Sequence, residues 1–168
     1  SEEKRVADVI RALALLETTT PHLVLVGEGP QRLHLTKVAE SLDIADRVHF
    51  LGECRDTRAI YSDLAIYILA SSFEGMANSL MEAMVARCPV AVSDIDTNTT
   101  LVGNNEYGWT FRAGNIQNLA EVIGVILRSP ELRMSRAQAA KEYIERTFPE
   151  QQMLLAWQAV LEKRVGRH

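Results

Sequence analysis

The sequence predicts an α/β domain of the doubly wound, Rossmann-like type: a parallel sheet with helices on both faces. Short β-branched segments alternate with amphipathic stretches along the chain, and no two successive strand segments are joined by a hairpin turn. The 168 residues, 47% of them apolar, are enough for a proper core and suit a single domain over 1–168.

Each element has a local reason. From Glu2 to Leu16, the residues Val6, Val9, Ile10, Leu13 and Leu16 recur at three- and four-residue spacing, which predicts a helix. HLVLVG (22–27) reads as a buried strand, and Gly27, Glu28, Gly29 and Pro30 as a turn. Pro30 suits the start of a helix carrying Leu33, Val38, Ala39 and Leu42. RVHFLG (47–52) is a strand, DTRAIYSDL (56–64) a short helix and AIYILASS (65–72) a strand. The helix NSLMEAMVAR (78–87) is stopped by Pro89 before the strand PVAVSD (89–94). A polar loop DTNTTLVGNNEYG (96–108), a short strand WTF (109–111) and helices from near Asn115, Pro130 and Pro149 complete the chain.

Bulk properties exclude several function classes. A net charge of −4 offers no overall attraction to nucleic acid or to an anionic membrane. Cys54 and Cys88 are too few for a disulfide framework, and no Cys/His cluster has zinc-site spacing, which points to a reducing, cytoplasmic compartment. No apolar run approaches the roughly 20 residues of a membrane span. The start SEEKRVADVI lacks the pattern of a signal peptide. His22, His34, His49 and His168 are scattered and read as ordinary residues rather than ligands.

In a doubly wound fold the ligand lies beyond the carboxyl ends of the strands, so the segments after Val26, Leu51, Ala70 and Val92 matter most. VGEGPQR looks like a dinucleotide fingerprint, but Arg32 stands where the third glycine belongs, so a nicotinamide cofactor is not expected. Gly27 and Gly29 still let a backbone approach a phosphate or sugar, or they form a tight turn and nothing more; both readings stay open. DID (94–96) matches an Asp-x-Asp metal clamp, yet no third oxygen ligand is in view, and aspartates at strand ends commonly serve turns.

FEGMANSLMEAM (73–84) is the richest stretch. Ser79 to Glu82 spells a capping box, and an acidic residue in a first helical turn suits the macrodipole. That account leaves out Glu74, Gly75 and Asn78, which precede the helix. A helix start behind small residues presents amides to an anion, and a carboxylate at each edge can hold sugar hydroxyls. Loop and helix together make a cradle for a diphosphate and a sugar.

GEGP, VHFLGE, IYSDLAIYILASSFEGMANSLMEAM and CPVAVSD follow, in order and at matching spacing, a known pattern. The chain resembles, over nearly its whole length, the C-terminal nucleotide-sugar-binding domain of retaining, GT-B-fold glycosyltransferases of family 4. The resemblance implies one half of a GT-B enzyme. It implies that Glu74, the first of two glutamates separated by seven residues, contacts hydroxyls of the transferred sugar. The amides of Gly75, Met76, Ala77, Asn78, Ser79 and Leu80 would hold sugar and diphosphate, and Glu82 the ribose. The backbone at Leu51 and Gly52 would read the base, Gly27 and Gly29 would flank the donor, and Lys4 would reach the diphosphate, with Arg5 beside it as a competitor.

The donor implied is a UDP-sugar or GDP-sugar, with no cofactor and no metal, because a lysine and helix-terminal amides can offset charge on the leaving diphosphate. The glutamates are expected to position the donor; neither is expected to attack carbon as a retaining glycosidase nucleophile does. Acceptors would be a carbohydrate or a lipid-linked glycan, met through an N-terminal domain outside this chain, in polysaccharide, lipopolysaccharide or glycolipid biosynthesis. The isolated piece is therefore expected to be inactive. No nucleic-acid partner is expected, and peripheral association with the inner face of a membrane is left to the full-length enzyme.

Three departures from the pattern stand out. The strand and arginine that precede the lysine in the family are absent. The family's glycine-rich turn and following glutamate are replaced by TNTT, with Thr100 near the glutamate position. The acceptor-binding domain lies outside the chain. These features favour a second reading, a non-catalytic nucleotide-sugar-binding or scaffolding module, whereas the intact Glu74/Glu82 loop argues for the transferase. An unrelated doubly wound enzyme, an epimerase or a reductase, fits the spaced glutamates and the broken glycine fingerprint less well.

Overall fold

A strand whose successive side chains are all buried needs cover on both of its faces, and the strand Val90–Ser93 shows how the chain supplies it. Val90 and Val92 pack with Leu80, Met84 and Ile144, whereas Ala91 faces the other way into a cluster with Val9, Leu119 and Ile123. The computed structural model describes residues 2–16, 21–54, 58–75 and 77–148.

A 3-10 turn over Glu2–Lys4 leads to α1 (Val6–Ala14), followed by β1 (Leu23–Val26), α2 (Arg32–Ser41), β2 (Val48–Gly52) and α3 (Arg58–Asp63). Next come β3 (Tyr67–Leu69), α4 (Asn78–Val85), β4 (Val90–Ser93), α5 (Asp96–Leu101), β5 (Trp109–Phe111), α6 (Ile116–Arg128) and α7 (Pro130–Thr147). All the pairings between named strands are parallel. Helices α1 and α6 cover one side and α4 and α7 the other, so the predicted α/β architecture with helices on both faces is observed.

The structure differs from the sequence expectation in four places. The strands form two parallel sheets, β1-β2 and β3-β4-β5, rather than one continuous sheet. Between the facing edges of β1 and β3 lies a cavity of about 440 Å3. The first helix is interrupted at Arg5, whose backbone is left-handed (φ 48°) and whose Nε donates to Asp8 Oδ2 at 2.7 Å. Pro30 belongs to the turn, and α2 starts at Arg32, with the Leu35 amide bonding the Gln31 carbonyl at 2.9 Å. The segment expected as a polar loop opens with α5. Its threonines are weak helix formers, but burial of Asn98 and Val102, both fully inaccessible, fixes the turn against β4. The helix expected from Pro149 lies outside the described residues.

Among the described residues no helix is long and apolar enough to cross a membrane, and no group of three or more His, Cys, Asp or Glu could hold a metal ion.

Candidate functional site

The chain leaves β3 through Ala70, Ser71, Ser72, Phe73, Glu74 and Gly75 before α4 begins at Asn78. Bonds at both ends hold this loop. The Glu3 carbonyl accepts from the Ser72 amide (2.8 Å) and from Ser72 Oγ (3.2 Å), which ties the N-terminal turn to the end of β3. Ser71 Oγ donates to Glu74 Oε1 at 2.5 Å, and Thr97 Oγ1 donates to the Glu74 carbonyl at 3.3 Å. Glu74, which the sequence left without a local structural role, therefore has one.

The capping box does not form. α4 starts a residue before Ser79, with Ala77 at the N-cap and no side-chain cap. Ser79 is thereby carried inside the first turn, where its hydroxyl pairs with Tyr67 Oη at 2.8 Å. Glu82 Oε2 accepts from Tyr61 Oη at 3.3 Å, and the two tyrosine rings meet edge to face at 5.7 Å. Burial pushes the Tyr67 hydroxyl above its ordinary range, so it stays protonated at neutral pH. The two residues that sequence assigned to one cap are instead buttressed by two tyrosines. The uncapped helix start faces the loop with its positive dipole end.

Lys4, Ser71, Ser79 and Glu82 line the cavity between β1 and β3. Arg5, the competitor of Lys4, is turned away: its guanidinium pairs with Asp8 and lies against Gly114. The rest of the lining, which includes Leu23–Val26, Ile66–Leu69, Val9, Leu13, Ile123 and Leu127, is mostly apolar, with His22, Tyr61 and Tyr67 as further polar groups.

The other predicted positions are spread over the loop, the core and the strand ends. Gly75 and Asn78 stand on the loop and at the first position of α4. The side chains of Ala77 and Leu80 are buried in the core, and the Leu80 amide already bonds the Ala77 carbonyl at 3.0 Å, so only amides before Leu80 remain for an anion. Met76 lies outside the described residues. Gly27, Gly29, Leu51 and Gly52 cluster at the ends of β1 and β2 rather than on the cavity. There the Gly27 amide bonds the Gly52 carbonyl at 2.6 Å, and both glycines have positive φ (113° and 70°), where a side chain would be strained. Leu51 is 55% exposed, and a Cβ at Gly29 would meet nothing, so this rim is open.

Sequence reasoning missed Tyr61, Tyr67, Ser71, Ser93 and Asn98. Ser71 and Ser93 carried one usable signal, a polar residue at the end of an apolar strand segment. The tyrosines carried none, because their partners are distant in the chain, and Asn98 carried none because it lies in a segment that reads as a polar loop. Asp94, from the DID triplet, does serve a turn: its Oδ1 accepts from the Ala113 amide at 2.8 Å.

Comparison with known proteins then adds a family. Residues 1–143 match the sequence profile of the glycosyl transferases group 1. N-acetyl-alpha-D-glucosaminyl L-malate synthase of Bacillus anthracis is 25% identical over 158 residues, 94% of this chain and 42% of that protein. The lipopolysaccharide core biosynthesis glycosyltransferase LpsE of Rhizobium meliloti is 26% identical over 163 residues, 97% of this chain and 47% of that protein. Among solved structures, Anabaena HepE in complex with UDP superposes with a TM-score of 0.84 at 21% identity, covering 95% of this chain and 46% of that one. The chain thus has the fold of about half of a GT-B glycosyltransferase and spans about half the length of the relatives it matches.

Proposed function

The chain belongs to the glycosyl transferases group 1 family, and on that premise we propose that it is the donor-binding half of a retaining, family 4 glycosyltransferase. It binds a nucleoside diphosphate sugar, UDP- or GDP-linked. With an acceptor-binding domain outside this chain, it transfers the glycosyl group in polysaccharide, lipopolysaccharide or glycolipid biosynthesis. The observation that carries this reading is the gathering of Lys4, Ser79 and Glu82 on one cavity, with the Glu74 loop leading into the uncapped start of α4.

Each group has a task in that reaction. The C1–O bond to the diphosphate breaks with its electron pair passing to the phosphate oxygen. The acceptor hydroxyl oxygen forms the new C1–O bond and gives up its proton to a base outside this chain. Lys4 and the amides before Leu80 offset the charge growing on the diphosphate, which is the stabilisation that lowers the barrier and the reason no metal is invoked. Glu82, held by Tyr61, accepts from the ribose, and Glu74 accepts from hydroxyls of the sugar. Neither carboxylate attacks carbon, and without the acceptor domain the chain does not turn over.

A thermal-shift and calorimetric screen against UDP, GDP and ADP and their sugar conjugates tests the proposal, with Glu82→Ala as control. Stabilisation by a uridine or guanosine nucleotide, reduced in the variant, is expected. Stabilisation by none of them would overturn the donor-site reading, and equal stabilisation of both proteins would remove only the ribose role of Glu82.

A further inference from the structure

We propose that α5 anchors a positioning device for the Glu74 carboxylate: Asn98, Ser93 and Ser71 form a one-way hydrogen-bond chain that ends on it, while Thr97 holds its backbone. The inference rests on the reading of Glu74 as the sugar contact.

Ser71, Ser93 and Asn98 are all fully buried. Asn98 Nδ2 donates to Ser93 Oγ at 3.1 Å, Ser93 Oγ donates to the Ser71 carbonyl at 2.5 Å, and Ser71 Oγ donates to Glu74 Oε1 at 2.5 Å. The direction is forced. A carbonyl and a carboxylate only accept, and each serine hydroxyl has one proton to give. The chain therefore runs from the amide on α5, across the end of β4, to the loop after β3. It occupies Oε1 and leaves Oε2 of Glu74 for a sugar hydroxyl.

A core selected for stability alone would not carry this arrangement. Buried polar groups are tolerated when bonded, but Asn98 Oδ1 has no partner among the described residues, an omission that typically costs about 1–3 kcal/mol. Among the described residues Asp8 is the other buried polar or charged residue, and it is held by two arginines. Every member of the Asn98 chain instead leads toward one carboxylate. Thr97, exposed on the same helix, donates to the Glu74 carbonyl at 3.3 Å. Thus the segment TNTT, which departs from the pattern the rest of the chain resembles, supplies two independent holds on Glu74. Ser71, Ser93, Asn98 and Thr97 are positioning residues acting through it.

Calorimetric titration of the 168-residue chain with UDP, GDP, UDP-glucose and GDP-mannose tests this. Loss of one charge-assisted bond in Ser71→Ala should weaken binding of the sugar conjugate about tenfold and leave the matching diphosphate unchanged. Thr97→Val, an exposed and nearly isosteric change that leaves the core intact, should weaken the conjugate about threefold with the same selectivity. In a Glu74→Ala background, Ser71→Ala should change affinity by less than about twofold, because a residue acting through Glu74 has nothing left to act on. The inference is overturned by equal losses for diphosphate and conjugate, by an undiminished effect of Ser71→Ala without Glu74, or by a Glu74→Ala variant that binds the conjugate normally. Failure of every probe to bind the unaltered chain would instead bring down the donor-site reading, and this inference with it.

Discussion

The buried thiol of Cys88 makes the scaffold beneath the site sensitive to alkaline pH in a calculable way. Cys88 lies between α4 and β4, 1% exposed, with its amide on the Ala83 carbonyl and its thiol near the Pro89 carbonyl at 3.6 Å. Burial pushes the thiol from its ordinary 9.0 up to about 12, since a thiolate there would lose its hydration. The unfolded chain gives up this proton at a lower pH than the folded one. Between the two values the unfolded state binds fewer protons, so stability is complete below pH 9 and falls as pH rises toward 12. At about 1.4 kcal/mol per pH unit, the loss at about pH 10.5 is on the order of 2 kcal/mol. Urea unfolding followed by circular dichroism at pH 8 and pH 10.5, on the wild type and on Cys88→Ala, measures it. The alanine variant carries a constant packing cost but no ionisation, and tyrosine effects are common to both proteins. The gap between the two stabilities should therefore narrow by about 2 kcal/mol over this range; a gap independent of pH would refute the argument.

Thiol labelling of the native chain should modify Cys54, which is exposed, and reach Cys88 only in denaturant, so two rapidly reacting native thiols would contradict the packing of β4. Ile144→Ala should cost about 2–5 kcal/mol in chemical unfolding, because this fully buried side chain joins α7 to the cluster beneath α4. A loss below about 1 kcal/mol would mean that α7 contributes little to the core. In hydrogen exchange, amides of β1 that bond β2 should be protected while alternate amides facing the cavity exchange faster; uniform protection along β1 would mean that its second edge is covered.

The alternation of strands and helices was legible in the sequence because it rests on local periodicity. Val6, Val9, Ile10 and Leu13 mark a helix wherever they pack, and a run such as Val90, Ala91 and Val92 between Pro89 and Asp94 has few options besides a buried strand. The Glu74–Glu82 loop was legible for a related reason, since the residues of a cradle built on one helix start are neighbours in the chain. Reading Ser79 and Glu82 as a cap misplaced them by two residues, since the N-cap is Ala77. Their hydroxyl and carboxylate had two possible sets of partners, and Tyr61 and Tyr67, packed against α4, supplied the competing set. The helix α5 was hidden because its weak formers are held by burial of Asn98 rather than by propensity. Likewise, the separation of the sheet between β1 and β3 depends on pairings that no local pattern encodes. Sequence alone determined the alternation of strands and helices, apart from α5, and the loop that bears Glu74. The tertiary structure decided what holds that loop, because Ser71, Ser93 and Asn98 become neighbours only when two strand ends and a helix are brought side by side in the folded sheet.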